Sequence, residues 1–240
     1  MLQAGEAVTL GGEAAHHLGR VLKARAGDTV IAFNGRGGSY ESSVVSVDKR
    51  SITIKPLHFH AENNESSLKL TLAQGISRGQ HMDYTVQKAV ELGVSRIVPL
   101  FTEFSNVHLE EERAQKRHDH WHKIIIGACE QSGRNLVPEL TTAMSLTDWV
   151  NNDSTALRLL MHADTTEGPG DLPSGIKDIT LLCGPEGGLS RAEIDRALAC
   201  GYRMIALGPR ILRTETAAIA AITACQVLQG DMMYNRRSQD

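Results

Sequence analysis

The stretch Ile179-Thr180-Leu181-Leu182-Cys183-Gly184-Pro185-Glu186-Gly187-Gly188 decides the fold of the C-terminal part of this chain. Its apolar half, Ile179–Cys183, has the pattern of a buried strand, and Gly184–Gly188 forms a loop that leads into a helix. A second stretch repeats this order, since the apolar run Met204–Leu207 leads into Gly208–Ala217 and another helix. Two neighbouring strand-to-helix loops build one pocket at the C-terminal edge of a parallel sheet, where α/β proteins bind ligands.

The first loop has the composition of a ligand-binding turn. Ser190 and Glu193 predict a capping box at the start of the following helix, but a cap does not explain the glycines. Glycines permit positive φ and close approach of a ligand to the backbone. A phosphate loop is the obvious alternative, yet the segment lacks both the Gly-Lys-Ser/Thr ending and the Gly-x-Gly-x-x-Gly spacing. The carboxylate of Glu186 would also repel phosphate, so a neutral or cationic ligand fits better.

The second loop brings ionisable groups to the same edge. Arg210, Arg213 and Glu215 lie within six positions, directly after Gly208-Pro209. The simpler alternative is that these side chains are solvated and that Thr214 only caps the last helix. Three such residues together favour a site that carries chemistry as well as shape.

Composition excludes several classes of protein. The chain has 240 residues, 41% of them hydrophobic, and no apolar run long enough to span a membrane. The N-terminus lacks the basic and apolar regions of a secretory signal. The cysteines are scattered without a C-x-x-C pair and are expected to be reduced thiols of a cytoplasmic protein: Cys129, Cys183, Cys200 and Cys225.

Charge argues against binding of nucleic acid by bulk electrostatics, since the net charge is −3. Aromatic residues make up only 4% of the chain, which argues against RNA binding through a row of stacked rings. A local basic cluster remains, formed by Arg20, Lys23 and Arg25. It is either a phosphate-binding surface or a solvated helix face.

The pattern along the chain changes near the polar segment His60–Ser67, which predicts two domains, residues 1–62 and 67–240. The first is β-rich, with short strands and tight turns typical of a small barrel, preceded by one helix over Gly12–Ala24. The second alternates strands and helices, which predicts a mostly parallel sheet flanked by helices. Its last helix is rich in small residues, which permits close packing against the sheet or against a second subunit.

Five stretches, in this order, carry a resemblance to one family: His17–Leu22, Gln87–Val94, Ala128–Arg134, Gly184–Gly188 and Leu207–Ala217. With them the chain resembles the SPOUT superfamily and, more narrowly, the bacterial 16S ribosomal RNA uridine N3-methyltransferases, the RsmE family. The resemblance runs from about His16 to Gly230.

The resemblance implies a PUA-like β-barrel domain for RNA binding, followed by an α/β domain with a C-terminal trefoil knot. It also implies a homodimer that uses S-adenosylmethionine to methylate N3 of a specific uridine. The cofactor-binding residues implied are Leu160, Met161, His162, Gly184, Pro185, Glu186, Gly187, Gly188, Leu207, Gly208, Ile211, Leu212 and Thr216.

Roles for individual side chains are hypotheses that rest on where these residues lie in the sequence. Arg213 is the first candidate and Arg210 the second to stabilise charge on the uracil oxygens, and Glu215 or Glu186 to orient the arginine or take the N3 proton. The target base is expected to leave its stack or to be unpaired already. The implied RNA-binding residues are Arg20, Lys23, Arg25, Gln131, Arg134 and Asn135.

The chain departs from the family pattern at two places. The family usually begins with a short basic, aromatic-containing stretch before the barrel, whereas this chain starts inside the barrel, as expected of a truncated or alternative start. The family also usually has arginine in a Glu-Arg-Ser turn, and here the turn Thr102–Ser105 has Phe104 instead. No arginine contact therefore carries over to that position.

Two other functions stay open, and a metal site does not. The chain is alternatively a SPOUT methyltransferase of another RNA, such as a transfer RNA base or a ribose 2′-oxygen, or a non-catalytic RNA-binding protein of ribosome assembly. His118 and His122 are one helical turn apart, but no third ligand is near them in sequence. We therefore expect a solvated helix face there, which His120 shares, and no metal.

Overall fold

The structure is a computed structural model that describes residues 2–62, 64–105 and 111–233. The chain divides into two compact units. The first contains the residues up to Asn64 together with Gly133–Val137, and the second contains Glu65–Ser132 and the chain from Pro138 onward. The predicted division into 1–62 and 67–240 did not include the return of Gly133–Val137 to the first unit.

The first unit is a four-stranded antiparallel sheet in the order β1-β4-β3-β2. The tight turn between β3 and β4 is closed by a hydrogen bond of 2.8 Å from the Asp48 amide to the Ser51 carbonyl. Branched apolar residues on one face of β3 and β4, including Val44 and Ile54, form the core of this unit. The strands are β1 (Val8–Leu10), β2 (Thr29–Ala32), β3 (Ser39–Val47) and β4 (Ile52–His60).

The predicted helix over Gly12–Ala24 is wrong in its second half. Helix α1 (Gly12–His16) gives way to one π turn over His17–Val21, and Lys23 has a left-handed φ of 54°. Gly19 lies inside the π turn, where an added Cβ would be 3.2 Å from a core isoleucine. Close packing on the core therefore takes precedence over a regular helix, which glycine disfavours in any case.

The segment Gly133–Val137 joins the first unit through backbone hydrogen bonds. The Gly37 amide donates to the Asn135 carbonyl at 3.0 Å, and the Val137 amide donates to the Gly35 carbonyl at 3.1 Å. The Asn135 side chain also donates to the Glu62 carbonyl at 2.9 Å. These partners are some 70 to 100 residues apart in sequence, so no local pattern predicts the segment's placement.

The second unit has a seven-stranded sheet in the order β11-β9-β10-β5-β6-β7, with β8 also paired to β6. Its pairings are parallel, as the alternating pattern predicts. The central strands β5 and β10 are buried along nearly their whole length, which is typical of a parallel sheet covered on both faces. The strands are β5 (Lys69–Gly75), β6 (Arg96–Phe101), β7 (Glu139–Leu140), β8 (Met144–Ser145), β9 (Leu157–Met161), β10 (Asp178–Cys183) and β11 (Arg203–Ile205).

Helices flank this sheet, and most begin and end where sequence signals place them. The predicted capping box is present at the start of α5, and Gly93 has a φ of 85° just after α2 ends. The sequence missed α4, whose seven residues are too few to show a helical period. The helices are α2 (Gln80–Glu91), α3 (Glu111–Ser132), α4 (Leu146–Asn152), α5 (Arg191–Ala199) and α6 (Thr214–Gln229).

The last helix, α6, is held by buried glutamines as well as by its small apolar residues. Gln226 is fully buried; its amide donates to the Leu92 carbonyl at 3.0 Å and accepts a hydrogen bond of 2.7 Å from Ser66. Gln229 donates to the Pro173 carbonyl at 2.9 Å. The helix therefore packs against β5 and β10. The strand that precedes it in the chain, β11, lies at the edge of the sheet, on the other side of β9.

Candidate active site

A cavity of about 900 Å³ lies at the C-terminal edge of the sheet of the second unit. Its walls come from the loops that follow β9, β10 and β11 and from the first turn of α6. Its volume is within the usual range for pockets that bind small molecules or cofactors. The structure thus brings both glycine-bearing loops to one cavity, as their sequence pattern predicts.

Most of the residues named from the sequence line this cavity. They are Met161, His162, Gly184, Pro185, Glu186, Gly187, Gly188, Leu207, Gly208, Arg210, Ile211, Leu212, Arg213 and Glu215. Leu160 and Thr216 are not among the lining residues. Leu160 is fully buried in the core beside β10, and Thr216 is exposed on α6.

Glycine is required where the first loop crosses the end of β5. A Cβ on Gly75 would lie 2.5 Å from Cδ and 2.7 Å from the nitrogen of Pro185. The loop also folds on itself, since a Cβ on Gly184 would lie 3.0 Å from the carbonyl carbon of Gly188, whose φ is 72°. The glycines thus serve close backbone packing at the cavity wall.

A buried polar network joins this loop to the start of α6. The Thr214 hydroxyl donates a hydrogen bond of 2.6 Å to the Gly184 carbonyl. Gln74, fully buried at the end of β5, donates to the Thr214 oxygen at 3.0 Å and to the Gly184 carbonyl at 3.2 Å. Thr214 therefore holds two loops together, a larger role than the helix cap considered from the sequence.

The loop between β5 and α2 forms a further side of the site, and the sequence reasoning missed it. The backbone amide of Arg78 donates to Oε1 of Glu186 at 2.9 Å. Nδ1 of His81, which lines the cavity, lies 3.2 Å from Oε1 of Glu215. Each of the two predicted catalytic carboxylates thus contacts this loop or the helix that follows it.

These contacts bear on the roles predicted for Glu186 and Glu215. In the described residues no ion pair joins Glu186 or Glu215 to Arg210 or Arg213, so the expected orientation of an arginine by a carboxylate is absent here. The side chain of Glu215 is only 14% exposed, and His81 is its partner. Arg210 and Arg213 are exposed and face solvent at the cavity.

The inner wall of the cavity is uncharged. Burial, with a smaller contribution from the neighbouring Cys225, raises the pKa of the Cys183 thiol to about 12, so this lining group stays neutral at physiological pH. After β9, the Asp164 amide donates a hydrogen bond of 3.1 Å to Nδ1 of His162. Ionisable side chains line the cavity on all its other sides, on the loops after β9, β10 and β11 and on α2 and α6.

The turn after β6 supports the first loop from outside. The Glu103 amide donates to the Glu193 carboxylate at 2.8 Å, and Glu193 also completes the capping box of α5. A Cβ on Gly187 would lie 2.8 Å from Cβ of Phe104. The turn with the family-divergent residue thus lies against a lining residue of the cavity.

The predicted RNA-binding residues fall into both units. Arg20, Lys23 and Arg25 are exposed in the first unit, and Gln131 is exposed at the end of α3 in the second. Arg134 and Asn135 belong to the first unit and are only 4% and 7% exposed.

Additional lining residues did not emerge from the sequence: His81, Ala163, Asp164, Cys183, Leu189, Ile205, Ala206, Thr214 and Ala217. A signal for the His81 side was present, since Gly75 and Gly79 follow a buried strand and precede a helix, as in the two loops that were recognised. Within the described ranges, no helix is both long and apolar enough to cross a membrane, and no three His, Cys, Asp or Glu side chains are grouped to hold a metal ion.

Comparisons with known proteins agree with this architecture. Residues 64–226 match the RNA methyltransferase domain family, and residues 10–57 match the RNA methyltransferase PUA domain family. The ribosomal RNA small subunit methyltransferase E of Buchnera aphidicola subsp. Schizaphis graminum is 36% identical, over 96% of this chain and 94% of that protein.

Two solved structures are also similar over nearly their whole length. A putative methyltransferase from Legionella pneumophila, in complex with the bound cofactor SAM, is 39% identical with a TM-score of 0.94, covering 97% of this chain and 96% of that chain. A ribosomal RNA small subunit methyltransferase E from Neisseria gonorrhoeae, bound to S-adenosyl methionine, is 37% identical with a TM-score of 0.89, with the same coverage of 97% and 96%.

Proposed function

Because the chain belongs to the ribosomal RNA small subunit methyltransferase E family, we propose that it methylates N3 of a specific uridine in 16S ribosomal RNA with S-adenosylmethionine as the methyl donor. The observation that carries the proposal is the 900 Å³ cavity, in which both glycine-bearing loops and the ionisable residues of α6 meet. An RNA methyltransferase needs these two parts together, a donor pocket and a polar group that faces the base.

The residues present fit S-adenosylmethionine, which supplies an electrophilic methyl group on a sulfonium centre. Close-packed glycines expose backbone groups along Gly184–Gly188, and the neutral Cys183 side provides apolar wall. No lysine lines the described cavity, which suits a cationic centre. We propose that the loops at Met161, Gly184–Gly188 and Leu207–Leu212 hold this cofactor.

Arg213 is the proposed catalytic residue, with Arg210 as the second candidate. As the uridine loses its N3 proton, negative charge spreads onto the uracil carbonyl oxygens, and a guanidinium at that place stabilises it. Arg213 directly precedes the first turn of α6. The hydrogen bond from Thr214 to Gly184 fixes that turn, so the main chain of Arg213 is anchored while the Arg213 side chain stays exposed. Positioning of the base against the donor supplies much of the remaining acceleration.

The two carboxylates have different proposed roles. Glu186 accepts the Arg78 amide and thereby holds the loop before α2 against the cavity. Glu215, with His81 beside it, is the carboxylate left to receive the N3 proton or to order solvent that receives it.

RNA contacts, subunit assembly and location complete the proposal. We propose that Arg20, Lys23, Arg25 and Gln131 contact RNA directly, and that Arg134 and Asn135 act by fixing the Gly133–Val137 segment. The enzyme would act as a homodimer on the small ribosomal subunit in the cytoplasm. A trefoil knot is supported by the course of the chain, because α6 crosses back over β10 and β5 from the far edge at β11.

Mass spectrometry of ribosomal RNA from a deletion strain tests the function directly. We expect the loss of one N3-methyluridine from 16S RNA, restored by the wild-type chain. Loss of a transfer RNA or ribose 2′-O-methyl group instead would identify another RNA methyltransferase. Failure of the purified protein to bind S-adenosylmethionine in calorimetry would favour the non-catalytic assembly protein.

The complemented strain also tests the catalytic residue. Arg213→Ala should lower methylation on the order of 100-fold or more, the usual cost of removing one group that stabilises an oxyanion. Arg191→Ala, which removes an exposed arginine paired with Asp195 on α5, is the matched control and should leave the rate unchanged. A normal rate in Arg213→Ala would remove that residue from the mechanism.

A further inference from the structure

The turn Thr102–Ser105 is fixed at both ends and presents one aromatic side chain. The Thr102 amide donates to the Ser105 hydroxyl at 3.0 Å, and the Ser105 amide donates back to the Thr102 carbonyl at 3.0 Å. The Glu103 amide is held by Glu193 of α5 at 2.8 Å. These hydrogen bonds fix the backbone around Phe104 without the help of a ligand.

Phe104 lies against the cavity wall, yet much of its ring is not buried. Its Cβ occupies the space that a side chain on Gly187 would need, 2.8 Å from the ideal Cβ position. The residue is nevertheless 44% exposed, in a chain with only four phenylalanines. The turn is therefore ordered by its hydrogen bonds more than by burial of Phe104. The exposed part of this side chain remains available to a ligand.

We propose that Phe104 is the stacking surface for a base of the RNA substrate beside the methyl-donor cavity. This inference rests on the proposed function, since it requires RNA at that cavity. An aromatic ring binds the face of an unstacked base, and every base has such a face. A base that must leave its stack to be methylated needs a replacement for the stacking it gives up.

The surroundings favour a nucleic acid over a protein as the occupant. Arg210 and Arg213 are exposed at the cavity that Gly187 lines, and Arg78 is exposed in the loop held by Glu186. Guanidinium groups at this cavity supply contacts for phosphates and a face for a base.

Four substitutions at one position separate stacking from packing. Phe104→Ala should raise the KM for unmethylated small ribosomal subunits about 5- to 140-fold, from the ~1–3 kcal/mol of a base–aromatic stack. Phe104→Tyr and Phe104→Trp should restore the wild-type KM, and Phe104→Leu should not. The alanine variant retains the Cβ that touches Gly187, so the calorimetric Kd for S-adenosylmethionine should stay unchanged in all four.

Tryptophan fluorescence gives a readout that does not depend on methyl transfer. The two native tryptophans, Trp121 and Trp149, are 3% and 6% exposed, so the emission added by Phe104→Trp reports on the turn. We expect unmethylated 16S RNA to quench that added emission. Leu198→Trp, at a 36% exposed position on α5, is the matched control and should not be quenched.

The outcomes distinguish the inference from the function on which it rests. A wild-type protein that methylates RNA, together with unchanged KM in Phe104→Ala or full rescue by Phe104→Leu, overturns the stacking role and leaves the function intact. The absence of quenching in Phe104→Trp has the same meaning. A wild-type protein that neither binds S-adenosylmethionine nor methylates RNA overturns the proposed function instead.

Discussion

Gln74 and Thr214 are 140 positions apart in sequence, and their side chains form a buried hydrogen bond of 3.0 Å. Gln74 is the last residue but one of the central strand β5, and Thr214 begins α6. Both side chains also bind the carbonyl of Gly184, so one polar network fixes the first glycine-bearing loop. The cavity thus takes its shape from buried hydrogen bonds beneath it.

Removal of the Thr214 hydroxyl should loosen this network. Thr214→Val keeps the shape of the side chain but removes its hydrogen bonds to Gln74 and to Gly184, which still bond to each other, at a cost of about 0.5–1.5 kcal/mol for each bond lost. We expect a lower free energy of unfolding in denaturant titrations and a weaker Kd for S-adenosylmethionine. Thr223→Val, on the same helix, removes only a bond to the Ile219 carbonyl and should change neither quantity. If the two variants have the same free energy of unfolding, the hydrogen bonds of Thr214 do not contribute to stability as we expect.

A methyl group at Gly75 should displace the first loop. Gly75→Ala places a Cβ 2.5 Å from Cδ of Pro185, so backbone must shift at a cost of about 1–3 kcal/mol. Calorimetry should show a weaker affinity for S-adenosylmethionine. The loss of affinity should be larger than a smaller fraction of folded protein alone would cause. Gly127→Ala in α3 meets no atom within 4 Å and serves as the control, with neutral or slightly increased stability. An unchanged Kd in Gly75→Ala would show that the loop tolerates the shift.

Two substitutions at Glu186 separate a structural role from proton transfer. Glu186→Gln retains an oxygen that accepts the Arg78 amide, whereas Glu186→Ala removes it. We therefore expect the glutamine variant to keep most of the methylation rate. The alanine variant should weaken S-adenosylmethionine binding, because the loop before α2 loses the carboxylate that accepts its Arg78 amide. If both variants lose the methylation rate equally, Glu186 acts in proton transfer after all.

Alkaline pH should destabilise the second unit through its buried thiols. Burial raises the pKa of Cys183 and of Cys225 from 9.0 to about 12, so the folded state holds protons that the unfolded state releases. The unfolded state then binds fewer protons between pH 9 and 12, and the free energy of unfolding falls as pH rises through that window. Below pH 9 the two thiols make their full contribution to the free energy of unfolding, because they are protonated in both the folded and the unfolded state.

Denaturant titrations from pH 8 to 11 would measure this slope. The double variant Cys183→Ala, Cys225→Ala should be less dependent on pH than the wild type. Some dependence should remain, because burial and a hydrogen bond to Asp153 also raise the pKa of Tyr202. A slope that is identical in wild type and double variant would contradict the assignment to the thiols.

The parts of the site that follow from local sequence were predictable. The loop Gly184–Gly188 and the loop through Arg213 stand between an apolar run and a helix, and parallel strands bring such loops to one edge. The capping box of Ser190 and Glu193 follows from the identity and spacing of two residues. The helix over Gly12–Ala24 was overextended because the packing of Gly19 on the core is invisible in a local pattern.

The sequence by itself determined the fold class, the two glycine-bearing loops and the residue types available for chemistry, because periodicity and turn composition act within about ten positions. Only the tertiary structure decided their partners. It pairs Glu215 with His81, ties Gln74 to Thr214, and places Phe104 against Gly187. These contacts join residues 80 to 140 positions apart, and which of them form depends on how the whole sheet and its helices pack.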